Sequence, residues 1–352
     1  MLKSLRIKNF TVFSEAQLEF AAGINVIVGE NGLGKSHLLK LGYTCAWLSH
    51  SFSKNANGPE TKQDLQKRCA DKLVRVFRPD SLGRLARRGR GQGKAELAVS
   101  FHQSTADDLE FSFATNSKSE VTFRKTPARG INAPAVFFPT KEVISMYPGF
   151  ASLYRDYQIE LDETYFDLCL ALERPLLRGQ RFENSKALLE PLEALLGGKV
   201  SNENGRFLLR LPGEGNLEMP LVAEGIRKFA TVAYLIANGS LADNATLYWD
   251  EPETNLNPRL ISKLAAMLVN IAQQGTQVIL ATHSLFLVKE LDLQLKMAAN
   301  VPARFFALAN GPHGVSVQAG DTAEAVEPLA ALDAEIEQAE RYEELMAQGQ
   351  HA

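Results

Sequence analysis

The feature that most restricts this 352-residue chain is Gly29-Glu30-Asn31-Gly32-Leu33-Gly34-Lys35-Ser36, which matches GxxxxGK[ST] at every fixed position. Before it stands Ile24-Asn25-Val26-Ile27-Val28, a β-branched run of the kind that forms a buried parallel strand. After it, residues 35–49 read as a helix. Glycines in such a turn let successive backbone N–H groups point inward at an anion, and the helix N-terminus adds partial positive charge. The pattern therefore predicts a phosphate cradle over residues 29–36. Lys35 would meet the β- and γ-phosphates of a nucleoside triphosphate, and the Ser36 hydroxyl would meet Mg²⁺. The bland alternative is a glycine-rich turn, which the strand before and the helix after disfavour.

Two further strand ends carry matching chemistry. Thr246-Leu247-Tyr248-Trp249 runs directly into Asp250 and Glu251. An Asp250 carboxylate at a strand end beside the cradle would hold Mg²⁺, in part through water, and Glu251 would orient and polarise an attacking water. An ordinary acidic strand terminus turning at Pro252 is the competing reading. His283 then follows a second apolar strand, Gln277-Val278-Ile279-Leu280-Ala281-Thr282, where it could sense a γ-phosphate. The three pieces together make a catalytic constellation in which Glu251 and His283 act on the nucleotide, while Ser36 and Asp250 hold its metal.

Elsewhere the pattern is mixed. Strands are expected at Leu2 to Lys8 and Ala16 to Phe20, and an antiparallel meander is expected over 95–101, 109–113 and 120–124. Residues 50–70 read as polar loop around 54–60. Residues 134–139 read as a core strand, and 141–196 as a mainly helical insertion projecting from the body. Hairpins are expected at 207–221 and 305–319, helices at 223–238, 258–273 and 284–295, and a helical acidic tail from Asp321. Strands alternating with helices predict an α/β core with a parallel sheet. The division follows as 1–140, an N-terminal lobe with the cradle and meander; 141–198, the insertion; 199–320, a C-terminal lobe; and 321–352, the tail.

Composition narrows the setting. Cys45, Cys69 and Cys169 are odd in number and widely spaced, so neither a disulfide framework nor a zinc site is indicated. The charged start Met1 to Lys8 lacks an apolar leader, and no apolar run is long enough to span a bilayer, so a soluble cytoplasmic protein is expected. Residues 1–130 carry 21 Lys/Arg against 12 Asp/Glu and the remainder 17 against 29, an asymmetry suited to a polyanion or to head-to-tail association.

Together, the Lys-Asn-Phe start, the cradle, Trp249-Asp250-Glu251-Pro252-Glu253-Thr254-Asn255-Leu256-Asn257-Pro258 and Ala281-Thr282-His283-Ser284 resemble ABC-type ATPases. The subgroup is that of RecF, SMC and OLD-like proteins, and residues 1–50 and 215–290 carry the likeness. It implies an ABC-type P-loop NTPase head with an antiparallel β subdomain and a helical insertion. It also implies ATP and Mg²⁺ as cofactors, and a homo-oligomer whose composite site faces a signature segment with the partner's cradle. Ala223-Glu224-Gly225-Ile226-Arg227-Lys228 stand at the signature position, with Gly225 meeting the partner's γ-phosphate and Ala223 replacing the usual serine. Asn255 and Asn257 match the D-loop. Thr140, Lys141 and Glu142 stand where the family carries a Q-loop glutamine, and Thr11 where several DNA-repair relatives carry arginine.

Arg75, Arg78, Arg84, Arg87, Arg88, Arg90 and Lys94 crowd residues 75–94 with Asp80 the only acid, and four glycines make the stretch loop-like. A flexible polycation there could neutralise nucleic-acid phosphates, or be a solvated or docking loop. The likeness extends to ATPase subunits of bacterial anti-phage systems (PARIS-like and Septu-like) and of toxin–antitoxin systems. That implies ATP-driven self-association controlling a separate effector. The alternatives are a RecF-like DNA-binding repair ATPase and an ATP-gated scaffold with negligible turnover. A single-chain OLD-type nuclease is disfavoured, because about thirty residues follow the last hairpin.

Overall fold

In a computed structural model describing residues 1–54, 61–88, 93–157, 159–241, 244–298, 300–311, 314–326, 338 and 340–342, the β-branched run becomes β3 (Ile24–Gly29), in the middle of the largest sheet. The opening strands are β1 (Leu2–Phe10) and β2 (Phe13–Glu19). Their partners follow as β4 (Lys94–Phe101), β5 (Leu109–Ala114) and β6 (Thr122–Lys125), giving a five-stranded antiparallel sheet ordered β2-β1-β4-β5-β6. Alternation of buried and exposed residues along β4 puts Ala95, Leu97, Val99 and Phe101 against the core.

The central sheet adds β7 (Ala135–Phe138), β11 (Thr246–Asp250), β12 (Gln277–Thr282), β13 (Ala303–Gly311) and β14 (Gly314–Gly320) in the order β14-β13-β3-β12-β11-β7. β13, β3, β12, β11 and β7 run parallel, and only β14 returns antiparallel at the edge. β3, β11 and β12 are buried almost throughout, as strands covered on both faces must be. The third sheet, β10-β9-β8, comprises β8 (Lys199–Glu203), β9 (Arg206–Leu211) and β10 (Gly215–Glu218). β8 is a strand the sequence pattern hid, and residues 219–221 form a 3-10 turn rather than the end of a strand.

The helices are α1 (Lys35–Ser53), α2 (Lys62–Phe77), α3 (Tyr147–Asp156), α4 (Glu163–Leu172), α5 (Gln180–Leu196), α6 (Glu224–Ala237), α7 (Pro258–Gln273) and α8 (Leu285–Met297). α2 corrects the expected loop over 50–70. Thr61 caps it by accepting from the Asp64 N–H, and Leu65, Cys69, Leu73 and Val76 form a buried stripe on an otherwise polar helix. The insertion does not project as expected. Leu168, Cys169, Leu172, Leu189, Leu192 and Leu196 share one core with Val26, Leu247 and Leu280 of the central sheet.

Buried charge fastens the insertion to the lobe that carries the cradle. Lys72 on α2 is 3% exposed and reaches Glu163 Oε2 at 3.2 Å and Asp167 Oδ2 at 2.5 Å on α4. Its ammonium also lies 4.1 Å from the Trp47 ring centroid, and the Tyr43 hydroxyl on α1 donates to Asp167 at 2.7 Å. Burial, with Asp167 next, pushes the Tyr43 phenol well above its ordinary range. Lys40 on α1 pairs with Asp162, the N-cap of α4, at 2.7 Å.

The basic stretch is also corrected. Arg75 lies in α2 and pairs with Glu163 at 3.4 Å, and Arg78 ends that helix with φ 57°. Leu82, Leu85 and Ala86 are buried, and Phe10 bridges Ala86. Arg87 donates to the Val12 carbonyl at 2.9 Å and lies against Gly314. The apolar residues between the arginines pin this segment to the antiparallel sheet, so along its described part it is a packed connector. Arg90 lies outside the described residues, as does most of the expected acidic tail. No helix among the described residues is long and apolar enough to cross a membrane.

Candidate functional site

The carboxyl ends of β3, β12 and β11 lie abreast: Val28 pairs with Thr282, and Ala281 with Asp250. In open α/β sheets this edge is where ligands bind, because loops leaving adjacent parallel strands converge there. Three of the segments singled out in the sequence leave from it.

From β3 the chain turns through Glu30, Asn31 and Gly32, all exposed, into α1. Gly34 caps α1 at φ 87°, and a Cβ there would lie 2.6 Å from Val12 Cγ2, so both conformation and space demand glycine. Leu33 anchors the turn by burying its side chain. Lys35 Nζ donates to the carbonyls of Gly29 at 2.7 Å and Glu30 at 2.9 Å, curling the loop around its own cation. Burial lowers the Lys35 pKa, opposed by Glu251, Asp250, Glu253 and Glu30.

From β11, Asp250 arrives 6% exposed with its carboxylate beside the Ser36 side chain. Burial raises its pKa above the ordinary carboxylate value; the Ser36 hydroxyl, Lys40 and Lys35 oppose this. One Asp250 oxygen, Oδ1, is buried without a hydrogen-bond partner. An orphaned carboxylate oxygen beside a serine hydroxyl is the hard oxygen set that Mg²⁺ takes. No cluster of three or more His, Cys, Asp or Glu able to hold a metal occurs among the described residues. Ser36 and Asp250 are the residues that would hold such an ion.

Glu251 adopts φ 48°, uncommon for a side chain with a Cβ. Its N–H donates to the Ala281 carbonyl at 2.9 Å, and its own carbonyl accepts from the Thr254 N–H at 3.2 Å and hydroxyl at 2.9 Å. These bonds turn its carboxylate to His283, whose Nδ1 is 3.2 Å from Glu251 Oε1. Glu253 carries no role from the motifs, yet its carboxylate is buried, accepts from the Thr282 hydroxyl at 2.5 Å and lies 3.9 Å from His283 Nδ1. The signal was present in Pro252-Glu253, a second acid just past the turn. Only the packing of β11 on β12 reveals that it is buried.

The structure thus brings together Lys35, Ser36, Asp250, Glu251 and His283. It places Ala223, Glu224 and Gly225 elsewhere, at the start of α6 and against the loop 251–257 of the same chain. Glu224 Oε1 accepts from Asn255 Nδ2 at 2.9 Å. Ala223 is exposed and caps α6 with no side-chain bond. Gly225 is buried, and a Cβ there would lie 2.7 Å from Leu256 Cδ2 and 3.0 Å from the Asn255 carbonyl. Gly225→Ala should therefore cost about 1–3 kcal/mol by overpacking. Urea unfolding checks this, and wild-type stability would show that the loop gives way freely. At the position lacking a Q-loop glutamine, Glu142 approaches Arg227 of α6 at 3.3 Å, both side chains largely buried.

The model of the family described as "AAA domain, putative AbiEii toxin, Type IV TA system" matches residues 24–289. Forty residues are 52% identical to the DNA double-strand break repair Rad50 ATPase of Archaeoglobus fulgidus, covering 11% of this chain and 4% of that protein. Sixty-six residues are 35% identical to the DNA replication and repair protein RecF of Phocaeicola vulgatus, covering 19% of this chain and 16% of that one. These matches span only a small part of either relative. An Smc head bound to the C-winged helix domain of ScpA superposes with TM-score 0.57 at 14% identity, over 92% of this chain and 98% of that one. An Smc head with an extended coiled coil, bound to the C-terminal domain of ScpA derived from Pyrococcus furiosus, gives 0.52 at 11%, over 97% and 99%. The fold is therefore that of an SMC/ABC-like ATPase head, with a parallel central sheet and an antiparallel β subdomain. Because the family model spans most of the chain and begins at the strand that feeds the cradle, the chain belongs to this family of AAA-domain, AbiEii-type P-loop ATPases.

Proposed function

We propose that the protein is a Mg²⁺-dependent ATPase whose ATP-driven self-association controls a separate effector in bacterial defence. The observation that carries the reading is the convergence, on one sheet edge, of Lys35, the Ser36–Asp250 pair and the Glu251–His283 pair. Lys35 exchanges the loop carbonyls for β- and γ-phosphate oxygens when nucleotide enters. Ser36 and Asp250 would hold Mg²⁺, which when bound would neutralise phosphate charge and orient the triphosphate. Glu251 accepts a proton from water held in line with the γ-phosphorus, and His283, bonded to Glu251, steadies that carboxylate and faces the γ-phosphate. The family description, which names AbiEii and a type IV toxin–antitoxin system, supports the defence setting. Ala223-Glu224-Gly225 would complete the partner's site by offering the α6 N-terminus to its nucleotide.

The decisive measurement is ATP affinity with and without Mg²⁺. Lys35→Ala removes a charge-assisted contact and should weaken binding roughly 10- to 150-fold. Equal affinity in both proteins, unaffected by Mg²⁺, would defeat the reading. The short RecF and Rad50 matches favour a second reading, a DNA-binding repair ATPase. ATP-dependent duplex binding that weakens steeply with salt would select it.

A further inference from the structure

One cation at the end of the signature-like segment carries no role from the motif itself. Lys228, in the second turn of α6, is 4% exposed, and its Nζ donates to the carbonyls of Pro252 at 3.1 Å and Thr254 at 2.6 Å. These two carbonyls flank Glu253 in the loop that starts at Glu251. A buried ammonium is costly unless its donors are used, and here backbone oxygens of a strained turn use them. Burial lowers the Lys228 pKa to about 8, with Glu253, Glu224 and Glu251 opposing. The same two elements meet twice more, through Asn255–Glu224 at 2.9 Å and the side-chain-free surface of Gly225.

We propose that Lys228 is a positioning residue for hydrolysis, tethering the Glu251 loop to the helix that begins with Ala223-Glu224-Gly225. Glu251 holds φ 48° only while its neighbours over-determine the turn. Thr254 bonds the Glu251 carbonyl from within the loop, and Lys228 bonds the Thr254 and Pro252 carbonyls from outside it. Without the ammonium, two largely buried carbonyls lose their donor and the loop is free to relax from αL at Glu251. A displacement near 1 Å of a catalytic group costs about 10²-fold in rate. Lys228 touches no reacting atom; it acts through Glu251. The tether also makes the segment facing a partner's nucleotide and the loop serving this chain's own nucleotide move as one piece.

The inference rests on the ATPase reading, and its test separates the two. Steady-state turnover and ATP affinity are measured for wild type, Lys228→Met, Lys228→Arg and Glu251→Gln, and for Lys228→Met combined with Glu251→Gln. Expected are a roughly 10- to 100-fold lower kcat for Lys228→Met with ATP affinity within about threefold of wild type, and recovery of most of that loss by Lys228→Arg. Lys228→Met should add nothing in the Glu251→Gln background, because a group acting through Glu251 has nothing left to position. Wild-type kcat in Lys228→Met overturns the tether, as does an equal loss in both backgrounds or a parallel loss of ATP affinity. Should Lys228→Met not fold, Lys228→Ala, which likewise has no donor for these carbonyls, is compared by the same criteria. A wild-type protein that binds Mg²⁺-ATP but never turns it over overturns both readings; one that turns over beside an unchanged Lys228→Met overturns only the tether.

Discussion

Glu251→Gln should slow ATP turnover by about 10²- to 10⁴-fold while leaving ATP affinity nearly intact. The substitution keeps the shape of the side chain and the backbone bonds from Glu251 to Ala281 and Thr254, so the αL turn survives. What disappears is the charge and the ability to take a proton from water. The proposed nucleotide contacts should stay, because Lys35 and the Ser36–Asp250 pair come from α1 and β11 and not from this side chain. The ATP-bound form should accumulate, and any ATP-dependent assembly should become long-lived. Phosphate release under steady state, with affinity measured separately, provides the check. Turnover within threefold of wild type would move the base to another group, Glu253 being a buried carboxylate that also faces His283.

Lys72→Met should destabilise the protein by about 3–5 kcal/mol, because it strands charge that has left water. Glu163 and Asp167 have side-chain exposures of 9% and 12%, and Lys72 is the buried cation between them. Arg75 reaches Glu163 from a largely exposed position, which softens the loss at that carboxylate but not at Asp167. The Trp47 ring loses its cation contact as well. Urea unfolding measures the change. Combining Lys72→Met with Glu163→Gln and Asp167→Asn should return much of the lost stability, since the uncompensated charges vanish together. A single variant within 1 kcal/mol of wild type would show that water already reaches these carboxylates. Because the cluster joins α1 to α4, the single variant should also loosen the insertion from the lobe bearing the cradle.

The elements that were legible beforehand are those written in consecutive residues. Residues 24–36 spell strand, turn and helix in order, and Thr246 to Glu251 spell a buried strand ending in two acids. The hairpin β13–β14 and the meander β4–β5–β6 are local alternations of the same kind. α2 was missed because its apolar stripe is narrow and most of its surface is polar, so mean polarity suggested a loop. Arg87 looked like one more free cation in a basic run. Its guanidinium is instead held between Val12 and Gly314, residues 75 positions before it and well over 200 after it.

The residues of the proposed nucleotide site were legible in short sequence segments, because phosphate wrapping, metal holding and strand termination each need only a few neighbouring residues of the right type. Which groups stand behind them was decided by packing. Parallel pairing of β3, β12 and β11 carries Lys35, His283 and Glu251 to one edge, buries Glu253 against Thr282, and lays α6 along the Glu251 loop so that Lys228 can grip it. Such contacts join residues tens to hundreds of positions apart, and their worth depends on burial, which amino-acid order alone does not state.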